Sequence, residues 1–157
     1  MPNGLYGGVR GRGLIAPSYS IAAVSVGIAQ HALEEAVAYA KVRRQFGKPI
    51  IDNQAVQIML ADMQMNTEAA RSMLHSAMRL VDEGVENVSM EASCCKTFAS
   101  DNAVRCACDA VQIFGGYGYS KEYPVEKIMR DAKIFQIFEG TNQIQRLVIA
   151  RELKKRY

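Results

Sequence analysis

Between Ser18 and Arg44, apolar residues Ala22, Val26, Ala29, Leu33, Ala36, Val37 and Ala40 recur every three or four positions, which predicts one buried face of a first helix. Gly47-Lys48-Pro49 closes it, because glycine permits left-handed backbone and proline cannot continue the ladder. Asp52 or Asn53 is then placed to cap a second helix, whose stripe runs through Val56, Met59, Leu60, Met63, Ala70, Leu74, Ala77 and Val81 toward Gly84. A third helix is predicted from about Asn87 to Phe114 through Met90, Ala99, Ala103, Ala107, Ala110 and Val111, stopping at Gly115-Gly116. The aromatic, glycine-rich stretch from Tyr117 to Tyr123 reads as a connecting loop. Pro124 suits the start of a short fourth helix to about Ile134, with Val125, Ile128, Met129 and Ala132 inward. After a break at Phe138-Glu139-Gly140, Thr141 caps a last helix with Ile144, Leu147, Val148 and Arg151 on its expected inner face.

All four prolines (2, 17, 49 and 124) fall where the periodicity breaks. Alanine and methionine are abundant and β-branched runs few, so no sheet is expected. Long helices on short turns give an all-α, up-and-down four-helix bundle. Residues 1–16 hold five glycines and no periodic pattern; they read as a flexible leader, leaving residues 17–157 as the bundle domain. The net charge is only +3, too small to imply a nucleic-acid partner, and the clustered charges (Arg10 with Arg12, and Lys154, Lys155 and Arg156) sit at the chain ends. Cys94, Cys95, Cys106 and Cys108 match neither a zinc ribbon nor a redox pair, and read as reduced packing thiols of a cytoplasmic protein, or of the mitochondrial matrix in a eukaryote. No run approaches a membrane span, and no secretory signal is present.

Candidate chemistry sits at the helix breaks, where function is held without spoiling a core. Arg43 and Gln45 end the first helix, Gln112 with Gly115 and Gly116 ends the third, and Glu139-Gly140-Thr141 precedes the last. Each also has a plain structural explanation: Arg43, Arg44 and Lys48 complement a helix dipole, the glycines make a C-cap, and Thr141 an N-cap. His31 and His75 have no third ligand in view, so no metal site is expected, and no nucleophile signature is present. The residues alone specify an all-α domain and leave its function open.

Four motifs in order narrow this: Arg43-Arg44-Gln45-Phe46-Gly47-Lys48-Pro49-Ile50 with Gln54-Ala55; Asp109-Ala110-Val111-Gln112-Ile113-Phe114-Gly115-Gly116-Tyr117-Gly118-Tyr119; Tyr123-Pro124-Val125-Glu126-Lys127 with Met129-Arg130-Asp131-Ala132-Lys133; and Phe138-Glu139-Gly140-Thr141-Asn142-Gln143-Ile144-Gln145-Arg146. Together they resemble the C-terminal helical domain of the acyl-CoA dehydrogenases, from about Ala22 to the end of the chain. The resemblance implies an oxidoreductase in which bound FAD oxidises an acyl-CoA thioester to the 2,3-enoyl-CoA. It implies Glu139 as the base that removes the α-proton. By the same match Arg43, Gln45, Phe46, Ile50, Gln54, Gln112, Gly115, Gly116, Thr141 and Gln143 would face FAD, and Phe138, Gly140 and Arg151 the acyl-CoA. Where the family carries an acidic residue and an arginine early in the first long helix, this chain reads Ile15-Ala16-Pro17-Ser18-Tyr19, with neither charge. The resemblance further implies a homo-oligomer and an electron-transferring flavoprotein as partner, and it involves neither nucleic acid nor membrane insertion. Family members also carry an N-terminal helical domain and a middle β domain, so the isolated chain is expected to be inactive. A second reading is a helical module that works only by oligomerisation or partner binding, with Phe46, Ile113, Phe114 and Phe138 expected as exposed apolar contacts.

Overall fold

The computed structural model describes residues 12–157, with side chains described from residue 18 onward. Five α-helices carry the fold: α1 (Arg12–Val42), α2 (Gln54–Asp82), α3 (Ser89–Phe114), α4 (Val125–Ile134) and α5 (Asn142–Arg156). Contacts across the bundle fix its directions. Tyr39 stacks on Phe114 near the ends of α1 and α3, and Tyr19 lies beside Glu91 and Cys95 near their starts, so these two helices run parallel. In α2, Met63 and Thr67 meet Cys106 and Asn102, while Met73 meets Cys95, so α2 is antiparallel to both. Tyr123, just before α4, packs on Phe114, whereas Gln136, just after it, bonds Asp101. The expected up-down-up-down bundle results, with α5 laid across the N-terminal half of α3.

The centre of the bundle is α3, buried on most sides. Its Ala103, Ala107 and Ala110 meet Ala29, Ala32, Ala36 and Ala40 of α1, all without solvent exposure. Side chains this small let the two backbones approach closely.

Five expectations are corrected. The first helix begins at Arg12, so Pro17 lies inside α1 rather than at its boundary; a proline in the second turn forfeits one ladder bond and the helix tolerates it. The leader therefore does not extend to residue 16, and its residues 1–11 lie outside the described part. The turn after α1 is a minimal antiparallel ladder, β1 (Arg44–Gln45) on β2 (Lys48–Pro49), with Gln45 opposite Lys48, followed by a 3-10 turn over Ile50–Asp52. Asn53 occupies the N-cap of α2, but its side chain makes no capping bond. The expected loop after α3 is a 3-10 turn over Gly115–Tyr119. Finally, α5 turns its polar side inward: Asn142, Gln145 and Glu152 are buried, while Ile144, Leu147 and Arg151 are exposed.

Gly118 is required by crowding. A Cβ there would lie 2.7 Å from the Val111 carbonyl oxygen and 2.8 Å from Phe114 Cβ. Gly118→Ala is expected to lower stability by about 1–3 kcal/mol, read as a fall in the urea midpoint at unchanged slope; an unchanged midpoint would show that this turn yields freely.

Candidate functional site

The first group of candidate residues gathers where α1 and α3 end. Arg43 follows the last residue of α1, its N–H still donating to the Tyr39 carbonyl at 2.9 Å, and its own carbonyl accepts from Ile50 N–H at 2.8 Å. This folds the chain back at once. The tip of the hairpin, Phe46 and Gly47, is left-handed (φ 53° and 80°), and Arg44 Nη2 braces it by donating to the Gly47 carbonyl at 3.1 Å. Phe46 therefore carries an exposed aromatic ring, 92% accessible, on a backbone conformation that costs a non-glycine residue about 1 kcal/mol. A large apolar group held outward at a cost in strain marks a surface made for contact.

Beside the hairpin opens a cleft of about 610 Å³, lined by Tyr39, Arg43, Gln45, Ile50, Ile113, Phe114, Gly115, Gly116 and Tyr117. Arg43 sits over the Tyr117 ring, 5.4 Å from its centre, so a cation–π contact holds the guanidinium at the rim. Gly115 ends α3 with φ 64°, and a side chain at either glycine would meet nothing within 4 Å. These glycines leave bare backbone facing open space. A guanidinium, an amide, exposed peptide groups and aromatic walls together suit an anionic ligand with a flat ring system. Gln54 and Gln112 are exposed nearby on α2 and α3 but do not line the cleft. Ile113 and Phe114, expected to be exposed, are buried in the core, because Phe114 stacks on Tyr39 at 4.0 Å.

The second group is the turn from Phe138 to Gln143. Glu139 and Gly140 are consecutive left-handed residues (φ 54° and 83°), and Glu139 is exposed. Gln145 Nε2 donates to the Glu139 carbonyl at 3.1 Å, and Lys96 Nζ donates to the Gly140 carbonyl at 2.9 Å. Thr141 caps α5 as expected, its Oγ1 accepting from Ile144 N–H at 3.3 Å. A Cβ on Gly140 would come within 3.0 Å of Gln145 Nε2. Phe138 packs edge-on against Phe135 and stays partly exposed, and Gln143 is exposed in the first turn of α5. Arg151 lies some ten residues further along α5, roughly 15 Å away, and pairs with Glu152 at 3.4 Å. It is not brought to the Glu139 turn.

The two groups also stand apart from each other. Lys96 binds the Glu139 turn from the first half of α3, and Gly115 follows the end of that helix, roughly 28 Å further along its axis.

Sequence reasoning missed the support beneath the Glu139 turn. Lys96 is fully buried and donates also to Asn142 Oδ1 at 2.7 Å. Asn142 Nδ2 donates to Asp101 Oδ1 at 2.7 Å, and Arg146 Nη2 pairs with Asp101 Oδ2 at 2.6 Å. Burial pushes the Lys96 pKa down, opposed by the negative charges of Asp101 and Glu139. The signal was available, since Lys96 interrupts the buried stripe of Ala92, Ala99 and Ala103 at helical spacing. Tyr39 and Tyr117 were missed as well; Tyr39 lay outside the apolar stripe of the first helix, and Tyr117 read as the start of a loop. The four cysteines are free, with Cys95 and Cys106 buried and Cys108 exposed. Among the described residues, no three His, Cys, Asp or Glu side chains converge as a metal site, and no helix is long and apolar enough to cross a membrane.

Comparison with known proteins gives a consistent result. Residues 18–154 match the profile of the acyl-CoA dehydrogenase C-terminal domain. An acyl-CoA dehydrogenase of Bacillus subtilis is 57% identical over 133 residues, covering 85% of this chain and 35% of the relative. Butyryl-CoA dehydrogenase from Megasphaera elsdenii superimposes with a TM-score of 0.86 at 48% identity, over 89% of this chain and 36% of that one. A structure described as PigA with FAD and proline superimposes with a TM-score of 0.86 at 34% identity, over 92% of this chain and 37% of the other. The chain thus spans about a third of the length of these relatives. With the helical order, the Glu139 turn and the Arg43 hairpin all in place, the chain belongs to the acyl-CoA dehydrogenase family, as its C-terminal helical domain.

Proposed function

We propose that this chain supplies the C-terminal part of an FAD-dependent acyl-CoA dehydrogenase, and that Glu139 is the base that removes the α-proton of the thioester. The observation that carries this reading is the Glu139 turn itself: an exposed carboxylate on a left-handed pair of residues, braced from beneath by buried side chains of α3 and α5. FAD, when bound, supplies the two-electron acceptor that no side chain offers. The chain's own residues do the rest. Arg43 and Gln45 would hold the phosphates and the adenosine half at the cleft, with Gly115 and Gly116 admitting close approach and Phe46, Ile50, Gln54 and Gln112 around it. Thr141 and Gln143, at the N-terminus of α5, would hold the cofactor near Glu139. Phe138 and Gly140 would border the acyl-CoA, with Arg151 further out along α5.

Because the two groups stand roughly 28 Å apart along α3, one copy of this chain does not bring them together; the reading therefore includes a homo-oligomer in which copies face one another, with an electron-transferring flavoprotein as acceptor. The isolated chain is then inactive, since the turn is open to water. The second reading, an assembly module without catalysis, draws on the exposed Ile144 and Leu147 of α5.

The test joins this chain to the first two-thirds of the Bacillus relative. Arg43→Met should lower flavin retained on purification by tenfold or more, on the order of the 1.5–3 kcal/mol carried by a charge-assisted bond. Equal flavin content in both proteins would remove Arg43 from the cofactor site. A joined protein that folds, assembles and holds no flavin at all would favour the assembly module.

A further inference from the structure

Lys96 stands on the buried stripe of α3 with no exposure to solvent. An ammonium there has lost its hydration, and it persists only against acceptors that replace the water. Two such acceptors are in place: the Gly140 carbonyl at 2.9 Å and Asn142 Oδ1 at 2.7 Å. Asn142 is itself fixed from three further sides. Its N–H donates to the Gln136 carbonyl at 3.0 Å, and its Nδ2 donates to Asp101 Oδ1 at 2.7 Å and Ser100 Oγ at 2.9 Å. The turn that Lys96 grips lies between α4 and α5 and belongs to no helix or strand. The Glu139 carbonyl is held by Gln145, and the Gly140 carbonyl by Lys96. Side chains from below therefore hold two adjacent left-handed residues, one of which is not glycine and pays for that conformation in strain. An apolar side chain of similar volume would fill the same space without the cost of burying a charge, so packing alone does not account for a lysine here.

We propose that Lys96 is the positioning residue for Glu139: by tying the Gly140 carbonyl to Asn142, it keeps the Glu139–Gly140 pair in the conformation that presents the carboxylate outward. This deepens, and rests on, the reading of Glu139 as the base. The charged groups that act on the ammonium are Asp101 on α3 and Glu139 itself, and Asp101 is paired in turn with Arg146 on α5.

Lys96→Met tests this, since it keeps the volume and removes the charge and all three protons. In the full 157-residue chain, hydrogen exchange at the amides of Phe138 and Asn142, which donate to the Ile134 and Gln136 carbonyls at either side of the turn, should speed up by about tenfold or more, while the alanine seam of α1 and α3 stays protected. In the enzyme joined to the Bacillus domains, kcat should fall roughly 100-fold with flavin content and KM nearly unchanged, as expected for a reacting group misplaced by about 1 Å. A purely structural role would instead lower flavin content together with kcat, leaving no separation of kcat from KM and cofactor binding. If Lys96→Met does not fold, Lys96→Gln, which keeps a donor and no charge, is read in the same way. Unchanged exchange at the turn overturns the proposal, and so does a mobile turn with unaltered kcat. Activity that survives Glu139→Gln refutes the base reading itself, whereas activity that survives only Lys96→Met refutes the positioning role alone.

Discussion

Glu139→Gln, placed in the enzyme completed with the Bacillus domains, is expected to slow acyl-CoA-dependent flavin bleaching by about ten-thousand-fold, the upper range for loss of a general base. Glutamine has the same shape as glutamate and leaves the backbone unaltered. Its carbonyl can still accept from Gln145, and Lys96 still holds Gly140, because both bonds are made to main-chain oxygens. The fold and the proposed cofactor surface at the Arg43 cleft, roughly 28 Å away along α3, should therefore be untouched. What is lost is the capacity to take a proton. Stopped-flow absorbance would read the effect, with flavin content as the control. Bleaching at the parent rate would mean that another group removes the α-proton; loss of flavin together with rate would mean that Glu139 serves binding.

The largest stability effect is expected at the seam between α1 and α3. Ala107 has no exposure and lies among Ala29, Ala32, Ala36 and Ala40 of the facing helix. A leucine there adds three carbons where neighbouring backbones already touch, so Ala107→Leu should destabilise the chain by about 3 kcal/mol. In a domain of this size that is a fall in Tm of roughly 6–12 °C. Ala61→Leu on the exposed side of α2 is the control, expected within about 0.5 kcal/mol of the parent. Equal Tm values for both variants would show that the bundle opens without cost, and that the close approach of α1 and α3 is not what organises it.

The same seam explains why so much of the fold could be read from sequence. In α1 and α3 the alanine stripes have one possible partner, each other, so period alone identifies the buried face. In α5 period misleads. Ile144, Leu147 and Val148 form a regular stripe, yet the face laid on α3 is Asn142, Gln145 and Glu152, because the surface beneath offers Lys96, Asp101 and Ser100 rather than apolar groups. Hydrophobic spacing cannot recognise a polar interface. Pro17 failed for a related reason: a proline rule describes one lost hydrogen bond, and a 31-residue helix absorbs it.

The site was legible in its motifs and not in its construction. Arg43, Gln45, Gly115 and Gly116 do meet at one cleft, and Glu139 does project from a strained turn. What spacing could not show is that these are two separate groups, or that the turn rests on a buried lysine more than 40 positions earlier in the chain. Such a pairing depends on how α5 crosses α3, which no local pattern encodes.

The most direct test of the whole account is to titrate the completed enzyme, carrying this chain unaltered, with butyryl-CoA in the absence of oxygen, and to follow the flavin band. The account predicts a protein that purifies with bound flavin and loses that band on addition of thioester, forming the 2,3-enoyl product. A protein that retains flavin but shows no bleaching with this or longer acyl-CoA thioesters would contradict it.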